Sequence, residues 1–435
     1  MSWKQTIVSF FVMLLTAGIG FSQDTTALSL EQAIRMALQN NPSVLVAQKE
    51  MEASSGRILQ AEAVPSPEIG ISWSEVPSRF RLSEYGDRSV GISQTLEFPG
   101  KRGARSRAAR LDLQISREKV DQIRLVVAAR VKQAYYGAAL NQHLIRNCES
   151  VHGLWQQFLK TAEFRYQART APFLDVLQAR VESAKLNNRL IELRQDGESR
   201  LSELNRLLGR PGNFPVGLAD SLSFTAFTRR VEEVLADLES ASPSIKIADA
   251  RVERDRMLVL LAKKEYLPDF SIGIFSQTLR EQPPFDANRF FGTTLHGSWQ
   301  VDLGMTVPIW FWKKQRGGVI EARSRDQIAR IRQAEARRVF AAAIRNAYRA
   351  VKTAEALVQN FHDSLLKDTE DQLSHGITLY QTGQMNVFNL LDICRTYYET
   401  QSEYWAAVYH YRWSLAELEK AGEDDSLNGA NNENQ

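Results

Sequence analysis

The sequence predicts a mostly α-helical chain with a small membrane-type β part, laid out as two copies of one unit. Three observations carry this prediction. Short motifs recur at a nearly constant spacing along the chain. Two stretches of more than sixty residues hold apolar side chains at helical spacing without an internal proline. Four short segments alternate apolar with small or polar residues.

Composition narrows the field. The chain has 435 residues, 43% hydrophobic and 24% charged, with 54 Lys+Arg against 51 Asp+Glu. Hydrophobic content is ordinary, so the bulk is not a bundle of membrane-spanning helices, each of which needs roughly 20 continuous apolar residues. The near balance of charge gives no electrostatic case for a nucleic-acid partner. Two cysteines exclude a disulfide-stapled fold and a cysteine-rich metal site. Residues 1–22 read as a signal peptide: Lys4 begins it, an apolar run spans Ile7 to Ile19, and small residues precede Gln23. No cysteine follows the apolar run closely, so no lipid anchor is expected.

The repetition is read from paired motifs. Asn41-Pro42-Ser43 recurs as Ser242-Pro243-Ser244, and Pro67-Glu68-Ile69 as Pro268-Asp269-Phe270, both at an offset of 201. Further on, Pro99 pairs with Pro308 at 209, Ala134-Tyr135 with Ala347-Tyr348 at 213, and Tyr166 with Tyr380 at 214. The expected units are 23–210 and 229–422, joined by a linker over 211–228 and followed by an acidic, Asn-rich tail over 423–435 that reads as disordered. The extra residues of the second copy are expected partly in a longer loop (Leu279 to Gly297) and partly in a longer turn (Ile309 to Gln315).

Each unit reads as helix, strand, loop, strand, long helix, tight break, helix. Ser29 with Gln32 makes a capping box for the first helix. Asn41-Pro42 and Ser242-Pro243 each place a capping residue before a proline at the first helical position. From Gly103 to about Ala168, apolar residues such as Leu111, Ile115, Val127, Val131, Val151 and Trp155 follow one helical stripe, and Gly317 to about Gln381 repeats it. Helices of about 100 Å exceed what a globular core needs and suit a coiled-coil-like bundle.

The strand pairs fall at about 67–76 with 89–97 and about 269–278 with 297–307. Ile69, Ile71 and Trp73 alternate with Gly70, Ser72 and Ser74, and Trp299, Val301, Leu303 and Met305 alternate with Gln300, Asp302 and Gly304. Phe275 breaks the pattern of its strand. The alternation fits a half-buried strand of a soluble sheet, and equally a transmembrane strand of about 9–11 residues. Four strands cannot close a barrel, for which about eight is the usual minimum. Strands in lipid must therefore be completed by further copies.

The duplicated unit, the strand pairs between long helices and the short breaks between paired helices resemble the TolC-type outer-membrane efflux family. The breaks read Tyr166-Gln-Ala-Arg-Thr-Ala-Pro-Phe-Leu-Asp175 and Tyr380-Gln-Thr-Gly383-Gln-Met-Asn-Val-Phe-Asn389-Leu-Leu-Asp392. The resemblance covers about Ser29 to Gly422. It implies a homotrimer with a twelve-stranded β-barrel in the outer membrane and a helical tunnel in the periplasm. The tunnel's tips meet a periplasmic adaptor and an inner-membrane RND-type pump. By motif position it places Asp175 and Asp392 at the periplasmic entrance, with Asn389 standing where the family carries a further aspartate. It makes Tyr166, Arg169, Tyr380 and Gly383 the docking tips. The loops Pro77–Asp87 and Leu279–Gly297 would face outside the cell. The strand-to-helix turns Phe98-Pro-Gly-Lys-Arg-Gly103 and Pro308-Ile-Trp-Phe-Trp312 are similar to those of members paired with heavy-metal pumps. Lys101, Arg102, Trp310 and Trp312 suit the lipid–water interface. A carboxylate ring favours cations in a narrow pore, yet Asp175 and Asp392 could equally serve helix N-termini through the dipole.

No cofactor, metal or enzymatic activity is expected. Gly100-Lys101 lacks the rest of a phosphate loop. His143 and His152 fall on opposite helix faces, and no nucleophile turn occurs. Cys148 and Cys394 read as small buried residues. The competing interpretation is a periplasmic coiled-coil scaffold without a pore.

Overall fold

The computed structural model describes residues 27–74, 87–280, 295–421 and Glu423. The signal segment, most of the two strand-connecting loops and the tail beyond Glu423 lie outside the described residues. The elements run α1 (Leu30–Asn40), α2 (Pro42–Glu62), β1 (Glu68–Ser74), β2 (Asp87–Leu96), α3 (Lys101–Gln167) and α4 (Phe173–Leu207). The same order then repeats as α5 (Val231–Ala241), α6 (Pro243–Lys264), β3 (Asp269–Arg280), β4 (Leu295–Thr306), α7 (Lys314–Asn360), α8 (Leu366–Gln381) and α9 (Val387–Lys420). A π-helical turn, Phe361–Leu365, separates α7 from α8.

The helix starts obey the expected chemistry. Ser29 N–H donates to Gln32 Oε1 (3.1 Å) and Gln32 N–H to Ser29 Oγ (3.3 Å), a reciprocal capping box. Asn41 Oδ1 accepts from Ser43 N–H at 2.9 Å, ahead of Pro42 at the first helical position. Helix α3 runs 67 residues without a break. Its counterpart is not continuous: the stretch expected as one helix from Gly317 to about Gln381 is interrupted by the π turn.

The chain divides into two compact units that cut across the repeats. One comprises Met1–Met36, Ala134–Ser223 and Thr369–Trp405; the other comprises Ala37–Gln133, Phe224–Asp368 and Ala406–Gln435.

In the second unit the four strands form one antiparallel sheet in the order β1-β2-β3-β4. Glu68 lies opposite Ser93 in the first hairpin, and Asp269 opposite Thr306 in the second. Glu68 to Asp269 is an offset of 201, whereas Ser93 to Thr306 is 213. All twelve extra residues of the second copy thus enter within the β3–β4 hairpin, in longer strands as well as in the loop. The turn before α7 (307–313) is longer than the one before α3 (97–100), as expected, but by register Pro308 is not the counterpart of Pro99, and Lys314, which opens α7, is the counterpart of Lys101, which opens α3.

The sheet inverts the rule for a soluble one, because its apolar face is the exposed one. Ile69, Ile71, Ile92, Phe270, Ile272, Ile274, Trp299, Val301, Leu303 and Met305 are all exposed. Large apolar side chains gathered on one open face are the signature of a surface meant to be covered. The opposite face is built from Gly, Ser, Gln and Asp. There Phe275 lies over Gly91 and Gly273, where an added Cβ would come within 2.3 and 2.7 Å of its ring. The break in alternation at Phe275 is therefore an aromatic covering two glycines.

The tail is corrected in one respect. Glu423 is buried: its carboxylate accepts from Ser242 Oγ and from Ser244 N–H (3.0 Å) and Oγ (2.7 Å), and its carbonyl from Gln122 Nε2 (2.9 Å). An acid placed at the start of α6 satisfies free backbone donors and complements the dipole.

In the first unit, helices α3, α4, α8 and α9 pack around Val151, Trp155, Phe158, Ala179, Tyr380 and Leu390. Asn141 Nδ2 donates to Leu193 O (3.0 Å) and Asn147 Nδ2 to Tyr398 O (3.1 Å), so α3 is tied to α4 by a buried amide and to α9 by a half-buried one.

Candidate functional site

The two helix-to-helix breaks have the same backbone. In the first, Arg169 N–H donates to Tyr166 O (2.9 Å) and Thr170 N–H to Arg165 O (2.9 Å), with Arg169 at φ 62°. In the second, Gly383 N–H donates to Tyr380 O (3.1 Å) and Gln384 N–H to Leu379 O (2.9 Å), with Gly383 at φ 76°. Both are Schellman motifs, in which a left-handed residue lets two amides close on the last helical carbonyls. Glycine adopts this conformation freely; arginine pays for its Cβ.

Three charged or hydroxylic groups meet beside these breaks. Arg165 Nη1 donates to Tyr380 O at 2.9 Å, and its guanidinium stands 5.1 Å from the Tyr380 ring centroid. Asp175, in the first turn of α4, is buried, and that burial pushes its carboxyl above the ordinary range, an effect the Arg165 charge opposes. The Tyr380 hydroxyl is buried with no hydrogen-bond partner among the described residues. Burial, and after it the charge of Asp175, raises its pKa. Arg165 is the member of this cluster that sequence reasoning missed. The available signal was a cation directly before Tyr166, where the second copy has Leu379.

Gly383 lies against Arg165, where an added Cβ would come within 3.3 Å of its guanidinium, whereas the side chains of Tyr166, Arg169, Asn389 and Asp392 make no hydrogen bond or ion pair with that cluster among the described residues. Tyr166 is exposed and packs on Phe173 with ring centroids 5.2 Å apart. Arg169 is exposed. Asn389 is exposed, and its N–H donates to Asn386 Oδ1 at 2.9 Å, so Asn386 caps α9. Asp392 is exposed one turn into α9, where its carbonyl accepts from Thr396 Oγ1 at 3.0 Å.

At the sheet end, Lys101 departs from expectation. It is 3% exposed, and its Nζ donates to both carboxylate oxygens of Asp269 (3.0 and 3.0 Å) and to Leu267 O (3.0 Å). A lysine satisfied in this way is held inside the strand-to-helix junction, not presented to headgroups. Arg102 is exposed, as are Trp310 and Trp312, whose rings meet edge to face at 5.1 Å.

Both cysteines are free and buried, with the Cys394 thiol pushed up to about 12 by burial. Such a thiol is a packing group with little nucleophilic character. Among the described residues no group of three His, Cys, Asp or Glu side chains is placed to hold a metal ion.

An open sheet with its apolar face outward, on long helices paired through tight tips, defines a class of outer-membrane channel components. The chain belongs to the outer membrane efflux protein family, whose model matches it twice, over residues 33–210 and 234–422. It is 21% identical over 382 residues to the cobalt-zinc-cadmium resistance protein CzcC of Cupriavidus metallidurans, covering 87% of this chain and 85% of that protein. Its fold is similar to that of CusC, solved in a study of transmembrane channel formation (TM-score 0.73, 16% identity, 89% of this chain and 90% of that one). It is also similar to the outer membrane protein VceC of Vibrio cholerae (TM-score 0.72, 18% identity, 91% of this chain and 97% of that one).

Proposed function

We propose that the chain is the passive exit duct of a tripartite efflux system. Three copies close a twelve-stranded barrel in the outer membrane, reached after removal of the signal peptide over 1–22. The helices extend into the periplasm. Their tips, with Tyr166, Arg169 and Gly383 exposed there and the buried Tyr380 bracing them from inside, dock to a periplasmic adaptor and an inner-membrane RND-type pump, which supplies the energy and selects the cargo. Asn389 and Asp392 line the entrance with the buried Asp175 bracing it from within the tip, and Arg102, Trp310 and Trp312 mark the membrane interface. The cargo is metal ions or other small toxic solutes, a reading supported by the likeness to a cobalt-zinc-cadmium resistance protein.

One observation carries this proposal: a four-stranded sheet with its apolar side chains exposed and both edges unpaired among the described residues. Each unpaired backbone group in lipid costs several kcal/mol, so the sheet is stable there only as part of a closed ring. The test is reconstitution into planar lipid bilayers. Detergent-purified protein should give discrete, long-lived conductance steps, and Asp392→Ala should change resting conductance or block by divalent cations. Silent bilayers from an intact oligomer would leave a scaffold without a pore as the better account.

A further inference from the structure

The sheet contains two seams of one design, and only one of them closes within the chain. At the inner seam β2 meets β3, with Ile92 opposite Ile274, Gln94 opposite Ile272 and Leu96 opposite Phe270. There Phe98 N–H donates to Asp269 Oδ1 at 2.8 Å, and Lys101, the first residue of α3, grips both oxygens of Asp269, the first residue of β3.

The repeat carries each part of this seam to the outer edges of the sheet. The offset of 201 takes Asp269 back to Glu68, the first residue of β1; the offset of 213 takes Phe98 to Phe311 and Lys101 to Lys314, the first residue of α7. Glu68 and Lys314 are exposed, and neither makes an ion pair among the described residues. The edges also lack cover. On the outer strands exposure runs from 41% at Trp73 and 54% at Ile71 up to 76–79% at Ile69, Trp299 and Leu303, against 41–48% for Ile92, Phe270, Ile272 and Ile274 on the inner ones. Beyond Thr306 the alternation continues through exposed Val307 and Ile309, but β3 begins at Asp269, so among the described residues no strand partner stands opposite them. Ile309 N–H instead turns back on Val307 O at 2.9 Å.

We propose that a second copy of this chain closes the outer seam in the register of the inner one. Met305 then lies opposite Trp73 of the next copy, Val307 opposite Ile71 and Ile309 opposite Ile69, with Lys314 gripping Glu68. This rests on the multi-copy duct proposed above. The register keeps all six side chains on the apolar face, whereas a slip of one residue would set them against Gly and Ser on the other. It exchanges the local turn at Ile309 for a ladder bond.

Disulfide trapping tests the register. Ile69→Cys with Ile309→Cys should yield covalently joined copies under mild oxidation, while Ile69→Cys with Met305→Cys, four residues out of register, should not; the native cysteines are buried. Lys314→Glu or Glu68→Lys alone should lower the temperature at which the oligomer dissociates in detergent by several degrees, and the double exchange should restore it. Trapping of the Met305 pair in preference to the Ile309 pair, or no recovery in the double exchange, would overturn this seam while an oligomeric native mass left the duct standing. A monomeric native mass in detergent would remove both.

Discussion

The two long helical arms have the same ancestry in the repeat and different interiors. The first is a single helix of 67 residues; the second is broken by the π turn Phe361–Leu365. The offset between copies explains the difference. It is 213 at Tyr135 and Tyr348, before the turn, and 214 at Tyr166 and Tyr380, beyond it. A π turn houses one surplus residue inside an α-helix without rotating the turns beyond it. The second arm absorbed its surplus there, where all five residues stay clear of the core, and the tip beyond kept its phase. The matching stretch of the first arm has no such slack: Cys148 and Val151 are buried, and Asn147 is tied to α9.

The largest effect expected from this contrast is a pair of single-residue deletions. Removing Ser364 should convert the π turn to regular helix and leave thermal stability nearly unchanged by circular dichroism. Removing Ser150 from the first arm should rotate everything beyond it by about 100° relative to the part before and abolish cooperative unfolding of that unit. Equal tolerance of both deletions would break the comparison.

The tips sharpen it further. Tyr380 is fully buried against Phe158 and under Arg165, so Tyr380→Ala should cost about 3–5 kcal/mol in denaturant unfolding. Tyr380→Phe removes a hydroxyl without a hydrogen-bond partner among the described residues and should be neutral or slightly stabilising. Next come the two left-handed residues. Gly383→Ala should destabilise its tip by about 1 kcal/mol, and Arg169→Gly should stabilise the other by a similar amount, read as opposite changes in amide exchange at the two breaks.

The smallest effect concerns pH. Asp175 and Asn389 occupy the same repeat position, but only Asp175 is buried and ionisable. Its folded carboxyl is lifted by burial, so the folded tip holds the proton more tightly than the unfolded chain does. That contribution is complete below the ordinary aspartate range and is lost as pH rises through the lifted value. Protection of amides around Asp175, corrected for intrinsic exchange, should therefore fall over that window. In Asp175→Asn it should stay flat, as around Asn389.

Much of the fold was legible in the sequence because it rests on local chemistry. The caps at Ser29, Asn41 and Ser242, the long arms and the alternating strands follow from periodicity and from which side chains reach a free amide. The features that were not legible depend on pairing across distance. Lys101 reads as an interface cation until Asp269 is brought beside it by the β2–β3 ladder. Glu423 reads as the start of a tail until Ser242 and Ser244 face it. The counterpart of Lys101 is likewise fixed only by strand register, which shows which residues stand opposite each other. The tip residues gave a mixed outcome. The tight breaks were visible as motifs, while the left-handed Arg169 and the nearness of the buried Asp175 to Arg165 and Tyr380 were not, since no local spacing connects those three.

The account depends most on the outer edges of the sheet being paired in the working protein. Amide hydrogen exchange on detergent-purified protein reads this directly. The account expects β1 and β4 to exchange as slowly as β2 and β3, since every strand of a closed ring has two neighbours. Slow exchange confined to β2 and β3, with β1 and β4 open along their outer sides, would contradict it.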